Sequence, residues 1–239
     1  MPDRDRPLYA VLNDADNIPA KFAEDILKEV TSLGEPALRR VYGDWSDDKL
    51  KPWTTKAKEL GLVAHQESAN TTRKNASDIG LVIDAMDILH TGRFDGFVLV
   101  SSDSDFTALA NRVREQGVDV IGIGEAKTPE SLRNVCNRFI LIENIVAPKS
   151  VGQDAETAPE KRNPSEAVPR IRKAMASIEN DGEWYALSRI GAAVRALYPD
   201  WDYRTYGKTG LGDLLAGLKK EFETRNNEGT AEVRFTPKG

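Results

Sequence analysis

Cysteine is almost missing from this chain. One thiol, Cys136, stands among 239 residues, so no internal disulfide can form, and a reducing compartment, the cytoplasm, is the expected home. Histidine is nearly as scarce. His65 and His90 are the only two, which disfavours a soft zinc centre built from His and Cys. Long apolar runs are lacking too. The opening MPDRDRPLYA is charged and leads into a run too short for a signal-peptide core or a membrane span, so no membrane association is expected. There is no excess of positive charge either. Lys and Arg number 33 against 38 Asp and Glu, a net −5, which argues against a protein that simply coats nucleic acid with charge. No long internal repeat occurs.

What is present is ample apolar material, 40% of the residues, enough for one medium domain or two small ones. The stretch APKSVGQDAETAPEKRNP (147–164) has linker composition, with Pro148, Pro159 and Pro164 and almost no bulky apolar residue. The expected organisation is a domain over 1–146, a flexible linker over 147–164 and a second domain over 165–239. Charge divides unevenly. Residues 1–147 hold 18 Lys and Arg against 24 Asp and Glu, a net −6, whereas 165–239 hold 12 against 11, a net +1.

The first part alternates strand-like and helix-like segments. Strands are expected at 8–13, 37–42, 62–65, 94–101, 118–123 and 139–145. Helices are expected at 19–33, 53–60, 77–90, 105–116, closed by Gly117, and 129–137. Such alternation predicts a parallel sheet with helices on both faces. Sites in such sheets lie beyond the carboxyl ends of the strands, where the strand order reverses.

Acids gather at those ends. The first strand closes in Asn13-Asp14-Ala15-Asp16-Asn17, and the strand FVLV closes in Ser101-Ser102-Asp103-Ser104-Asp105. If the two strands are neighbours, the carboxylates converge. On the helix from Ser77, the spacing puts Ile79, Val82, Ile83, Met86 and Leu89 on one apolar arc, with Asp78 inside it and Asp84 and Asp87 at or beyond its rim. An inward acid in the first turn is costly unless it has a use. Each cluster also has a local reading. Asp78 suits a helix N-terminus, Ser102 or Asp103 could cap the next helix, and Asp14 to Asn17 could form a turn into Pro19. Jointly, three clusters on one edge favour an all-oxygen site of the kind that suits Mg²⁺ or Mn²⁺. Divalent ions in such clusters activate water and neutralise charge on a phosphodiester.

The segments LYAVLNDADNIP, RRVYGDW, RKNASDIGLVIDAMDIL, FVLVSSDSDFTALANRVREQG and SLRNVCNRFILIENI, in that order across nearly all of residues 8–145, resemble the NYN domain family, a branch of the PIN-like nucleases. The resemblance implies a three-layer α/β sandwich with a central parallel sheet, in which the first strand lies beside the SDSDF strand. It implies metal-dependent ribonuclease activity at an acidic centre of Asp14, Asp78, Asp103 and Asp105, holding Mg²⁺ or Mn²⁺, with Asn17 and Ser101 orienting ligands or phosphate. Arg73 and Lys74, ahead of Asp78, are the expected RNA contacts of this domain. Two positions depart from the family pattern: Ser102 stands where Gly is frequent, and Asn13 where an apolar residue is usual.

Residues 165–239 read as three helices and a short β wing, TAEVRF. Gly182, Trp184, Leu187, Gly191, Pro199, Arg204, Tyr206, Gly207, Leu211, Leu214, Leu215 and Phe222 give this part a resemblance to the LOTUS, or OST-HTH, domain, a small winged-helix-like α+β module. That resemblance implies binding to RNA, single-stranded or structured, or to a protein partner. Arg204, Lys208, Lys219 and Lys220 are the contact candidates, since cations engage phosphates. Tethering would raise the local RNA concentration at the first domain. A homodimer is a further expectation.

Two rival readings stand beside this one. Asp103-Ser104-Asp105-Phe106-Thr107 also fits the D-x-D-x-T motif of haloacid-dehalogenase-like phosphatases, although too little of the domain follows for that family's later Lys and acid pair. Alternatively, the first domain binds RNA or a regulator without cutting it. Tyr206-Gly207-Lys208-Thr209 lacks the earlier Gly and the strand of a phosphate loop. Cys136 reads as core, and Trp45 as half-buried packing rather than an RNA-stacking platform.

Overall fold

Tyr9–Leu12 and Phe97–Val100 are apolar without interruption, the pattern of strands covered on both faces, and in the computed structural model of the chain they lie side by side at the centre of a sheet. The structure describes residues 5–66, 76–146, 161–180, 182–227 and 229–236. Arg73 and Lys74 lie outside them, as does most of the expected linker. The chain divides into two compact units, Met1–Ala147 and Pro148–Gly239.

In the first unit the elements follow in order: β1 Leu8–Asp14, α1 Ala23–Leu33, β2 Glu35–Gly43, α2 Lys51–Leu60, β3 Val63–Gln66, α3 Ala76–His90, β4 Gly96–Val100, α4 Thr107–Glu115, β5 Asp119–Gly124, α5 Glu130–Val135, β6 Arg138–Leu141 and α6 Ile142–Ile145. The six strands are all parallel, in the order β3-β2-β1-β4-β5-β6. One core, with Ile26 and Val30 of α1, Trp53 of α2 and Ile142 of α6, covers one face. A second, with Leu81, Ala85 and Ile88 of α3, Leu109 and Val113 of α4 and Leu132 of α5, covers the other. This is the three-layer architecture of a PIN-like domain. The chain winds outward from β1 to β3, then crosses back to β4, so the strand order reverses between β1 and β4.

Two expectations need correction. The last strand does not run to Ile145. Its ladder stops where Leu141 meets Gly124, the end of β5, and with no partner beyond that point the chain coils into α6 and buries Ile142. On α3, only part of the expected arc is covered: Val82, Met86 and Leu89 are half-buried against the core. Ile79 and Ile83 are 59% and 58% exposed, while Ser77, Leu81, Ala85 and Ile88 face the sheet and Asp78 lies on the flank. This helix is apolar nearly all round, so its periodicity could not choose a side. Gly117 does close α4, in the left-handed conformation at φ 74°.

The second unit contains α7 Val168–Ala176, β7 Tyr185–Ala186, α8 Leu187–Leu197, α9 Leu211–Ala216, β8 Phe222–Asn227 and β9 Thr230–Phe235. The strands form a small antiparallel sheet ordered β7-β9-β8. Ile171, Met175, Ile190, Val194, Leu214, Phe222 and Val233 build its core. The expected wing TAEVRF is β9. Its partner β8 is polar (FETRNN) and becomes a strand only through its ladder with β9. Residues 161–164, expected as linker, are ordered against this unit: Arg162 N donates to Thr205 O at 2.9 Å, and Asn163 caps a single helical turn at Pro164–Ala167. Among the described residues, no helix is long and apolar enough to cross a membrane.

Candidate active site

The reversal in strand order brings Asp14, at the end of β1, beside Ser101, just after β4, and Ser101 Oγ donates to Asp14 Oδ2 at 2.7 Å. Asp14 is 2% exposed. Its carboxylate also accepts from Asn17 Nδ2 at 2.8 Å and from the backbone N–H groups of Asp16 and Asn17 at 3.1 and 3.2 Å, which fills its four lone-pair positions. Burial pushes this carboxyl above its ordinary range, although the bonds from Ser101 and Asn17 pull the other way. The loop that carries Asp16 and Asn17 is fixed from below: the fully buried Trp53 donates its Nε1–H to Ile18 O at 2.7 Å.

Beyond β4 the chain turns outward. Asp103 N donates to Ser101 Oγ at 3.0 Å, and Asp103 Oδ1 accepts from Asp105 N at 2.9 Å, capping the single turn Ser104–Phe106 that leads into α4. Capping and acid placement are therefore one arrangement. Ser102 turns away from the acids and holds the β5 loop, accepting from Glu125 N at 2.9 Å. Gly124 is required beside it, since a Cβ there would come within 2.6 Å of Ser101 O. Asn13, the other departure from the family pattern, donates to Arg40 O on β2 at 2.9 Å.

Asp78 closes the opposite wall. Its carboxyl is pushed up to about 6, first by burial and then by the charges of Asp14, Asp103, Asp16 and Asp105. The charges of the other three acids expected from the sequence, and that of Asp16, thus reach Asp78. The structure also adds residues the sequence reading passed over. Ser77 Oγ donates to Asp16 Oδ2 at 2.7 Å, and Asp84 on α3 accepts from Arg40 Nη1 and from the Tyr42 hydroxyl on β2. A signal for the latter existed, because Arg40 and Tyr42 alternate on one face of an interior strand and a half-buried cation there favours an acid on the covering helix.

Among the described residues, no group of three or more His, Cys, Asp or Glu side chains is gathered closely enough to hold one metal ion. The donors are nevertheless all carboxylate and hydroxyl oxygens, and the charges of Asp14, Asp103, Asp16 and Asp105 all act to raise the Asp78 carboxyl. Both properties fit a hard divalent cation.

The NYN domain profile matches residues 9–143. The chain belongs to the NYN domain family. A second profile, the OST-HTH/LOTUS domain, matches residues 164–233. The structure of a protein of unknown function from Vibrio parahaemolyticus is similar at 20% identity and a TM-score of 0.50, over 59% of this chain and 96% of that one, a likeness of fold. An uncharacterised protein from Nitrosomonas europaea matches at 25% identity, over 39% of this chain and 95% of that one, with a TM-score of 0.30. No curated protein sequence matches the chain. NYN domains are nuclease-type domains and LOTUS domains bind RNA, so the functional class is ribonuclease-type and RNA-associated.

In the LOTUS unit the four cation candidates separate. Arg204 is committed within the fold: its Nε reaches both oxygens of the buried Asp202 at 3.1 and 2.9 Å, and its Nη2 lies 2.6 Å from Oδ2. Lys208 lies 3.5 Å from Asp213. Lys219 and Lys220 are exposed, and no described ion pair includes them. Cys136 is buried with its thiol donating to Leu132 O, and burial pushes that thiol up to about 12, as suits a core residue. Trp45 is half-buried, with its Nε1–H on His65 O at 2.7 Å.

Proposed function

We propose that the NYN domain hydrolyses RNA phosphodiester bonds at the acid-lined switch point between β1 and β4, with Mg²⁺ or Mn²⁺ as cofactor, and that the LOTUS domain holds the RNA. The observation that carries this reading is Asp78, surrounded by the charges of four other carboxylates at the carboxyl edge of the sheet. Five acids at one edge repel a polyanion, so the arrangement suits RNA only with a cation among them. Asp103, Asp78 and Asp105 would hold the ion, and Asp14, whose oxygens already accept four hydrogen bonds, would join them by giving one up. What such an ion supplies is Lewis acidity and positive charge toward the phosphodiester.

The chain's own residues divide the remaining work. Ser101 and Asn17 fix the plane of the Asp14 carboxylate through Oδ2, so its direction is set before any ligand arrives. Asp103 is aimed by its cap on Asp105 and by its own N–H on Ser101.

The test is cleavage of a labelled single-stranded RNA by the full chain in Mg²⁺, in Mn²⁺ or in EDTA. Cleavage in either metal and none in EDTA is expected. RNA that is bound yet survives prolonged incubation in Mn²⁺ would instead establish the non-cleaving reading.

RNA retention should rest on Lys219 and Lys220 rather than on Arg204. The double change Lys219→Ala and Lys220→Ala is expected to weaken RNA binding and to lower the slope of log affinity against log salt by about 1.5, at roughly 0.7–0.9 per lost phosphate contact. Filter binding across a salt series measures both, and an unchanged slope would remove these lysines from the interface.

A further inference from the structure

Asp78 sits on a helix that has reason to leave. Four carboxylates repel it, and the helix face beneath it, Leu81, Ala85 and Ile88, is apolar. Apolar packing is non-directional and resists sliding along the helix axis poorly, whereas hydrogen bonds are directional and fix register. The two hydrogen-bonded ties described for α3 stand on either side of Asp78. One is Ser77, the preceding residue, whose buried hydroxyl donates to Asp16 Oδ2 at 2.7 Å in the loop after β1. The other is Asp84, six residues on and about 9 Å along the axis, which accepts from Arg40 and from the Tyr42 hydroxyl on β2.

We propose that Ser77 and Tyr42 are positioning residues for Asp78, holding α3 in register against the repulsion of the site so that Asp78 stays within reach of a cation shared with Asp103. The inference rests on the metal-dependent reading of the acidic edge. It assigns a role to two residues that touch neither the ion nor RNA. The tie at Ser77 also restrains Asp16, so one hydroxyl orders both walls of the site.

Ser77→Ala and Tyr42→Phe each remove one hydroxyl and leave the fold's packing in place. Ser77→Thr keeps the hydroxyl and serves as the rescue. The measurements on the full chain are Mn²⁺ affinity by isothermal titration, single-turnover cleavage of single-stranded RNA, and the thermal midpoint without metal. Each deletion is expected to weaken Mn²⁺ binding about tenfold, the scale for partners that orient ligands. It should slow cleavage similarly with little change in KM, and Ser77→Thr should restore both. If wild type cleaves RNA with Mn²⁺ and the deletions bind and cleave equally well, positioning is overturned and the ribonuclease reading stands. Deletions that lower the midpoint but leave Mn²⁺ affinity unchanged overturn it too, since that is a purely structural role. A wild type that binds no Mn²⁺ overturns both.

Discussion

Asp103→Asn should lower Mn²⁺-dependent RNA cleavage by more than about 100-fold, beyond the upper range seen when only an outer partner of a metal ligand is lost. The substitution isolates charge from shape. Asn keeps an oxygen to accept from Asp105 N, so the cap on the turn Ser104–Phe106 survives, and the exchange is nearly isosteric. What disappears is one of the negative charges facing Asp78. The folded protein should therefore be no less stable than wild type while losing its chemistry. Parallel cleavage assays and thermal melts decide the matter, and equal cleavage by both proteins would remove Asp103 from the site.

Asp78→Asn should show the same opposition more sharply, because its acid carries the strain of the whole edge. Cleavage is again expected to fall by about 100-fold or more. Stability should move the other way, and only in part of the pH range. The Asp78 carboxyl is raised to about 6, above its value of about 4 in an unfolded chain. Between those values the folded state binds the proton more tightly, so stability declines as pH rises through that window, and the full cost is present above about pH 6. Two units correspond to about 3 kcal/mol. The group is partly exposed, and solvent screening reduces this to about 1 kcal/mol. In a unit of this size that is a midpoint shift of about 3 °C. Asn, which never ionises, should thus melt about 3 °C above wild type at pH 7.5 in EDTA and level with it at pH 4. Asp14 is also raised by burial and pushes wild type in the same direction. Coincident melting curves at pH 7.5 would mean that neither burial nor the neighbouring acids penalise the Asp78 charge.

The same residues show how far sequence reading reaches. Local chemistry determined the parallel alternation, because short uninterrupted apolar runs such as Tyr9–Leu12 and Phe97–Val100 suit strands covered on both faces and β-α alternation forces crossovers. It also determined which residue types crowd the strand ends, and hence that oxygens are the donors there. Asp14, Asp103 and Asp105 were legible because Asp14 ends β1 and the other two come within five residues of the end of β4, where the chain's direction fixes their edge. The adjacency of β1 and β4 came from family resemblance, since spacing along the chain does not order strands.

Other features required the assembled fold. The buried side of α3 was invisible in an almost uniformly apolar helix, and only packing against β1 and β2 turned Ile79 and Ile83 outward and Asp84 toward Arg40 and Tyr42. A hydroxyl's partner is equally non-local. Ser77 meets Asp16 across 61 positions, and Ser101 meets Asp14 across 87. Arg204 read as a phosphate contact until the fold placed Asp202 beneath its guanidinium. Sequence specified the chemical kinds and the strand ends that carry them, because those follow from covalent neighbours. Tertiary structure alone decided which charges face each other and which are neutralised, because those depend on distances between segments that chain connectivity does not constrain.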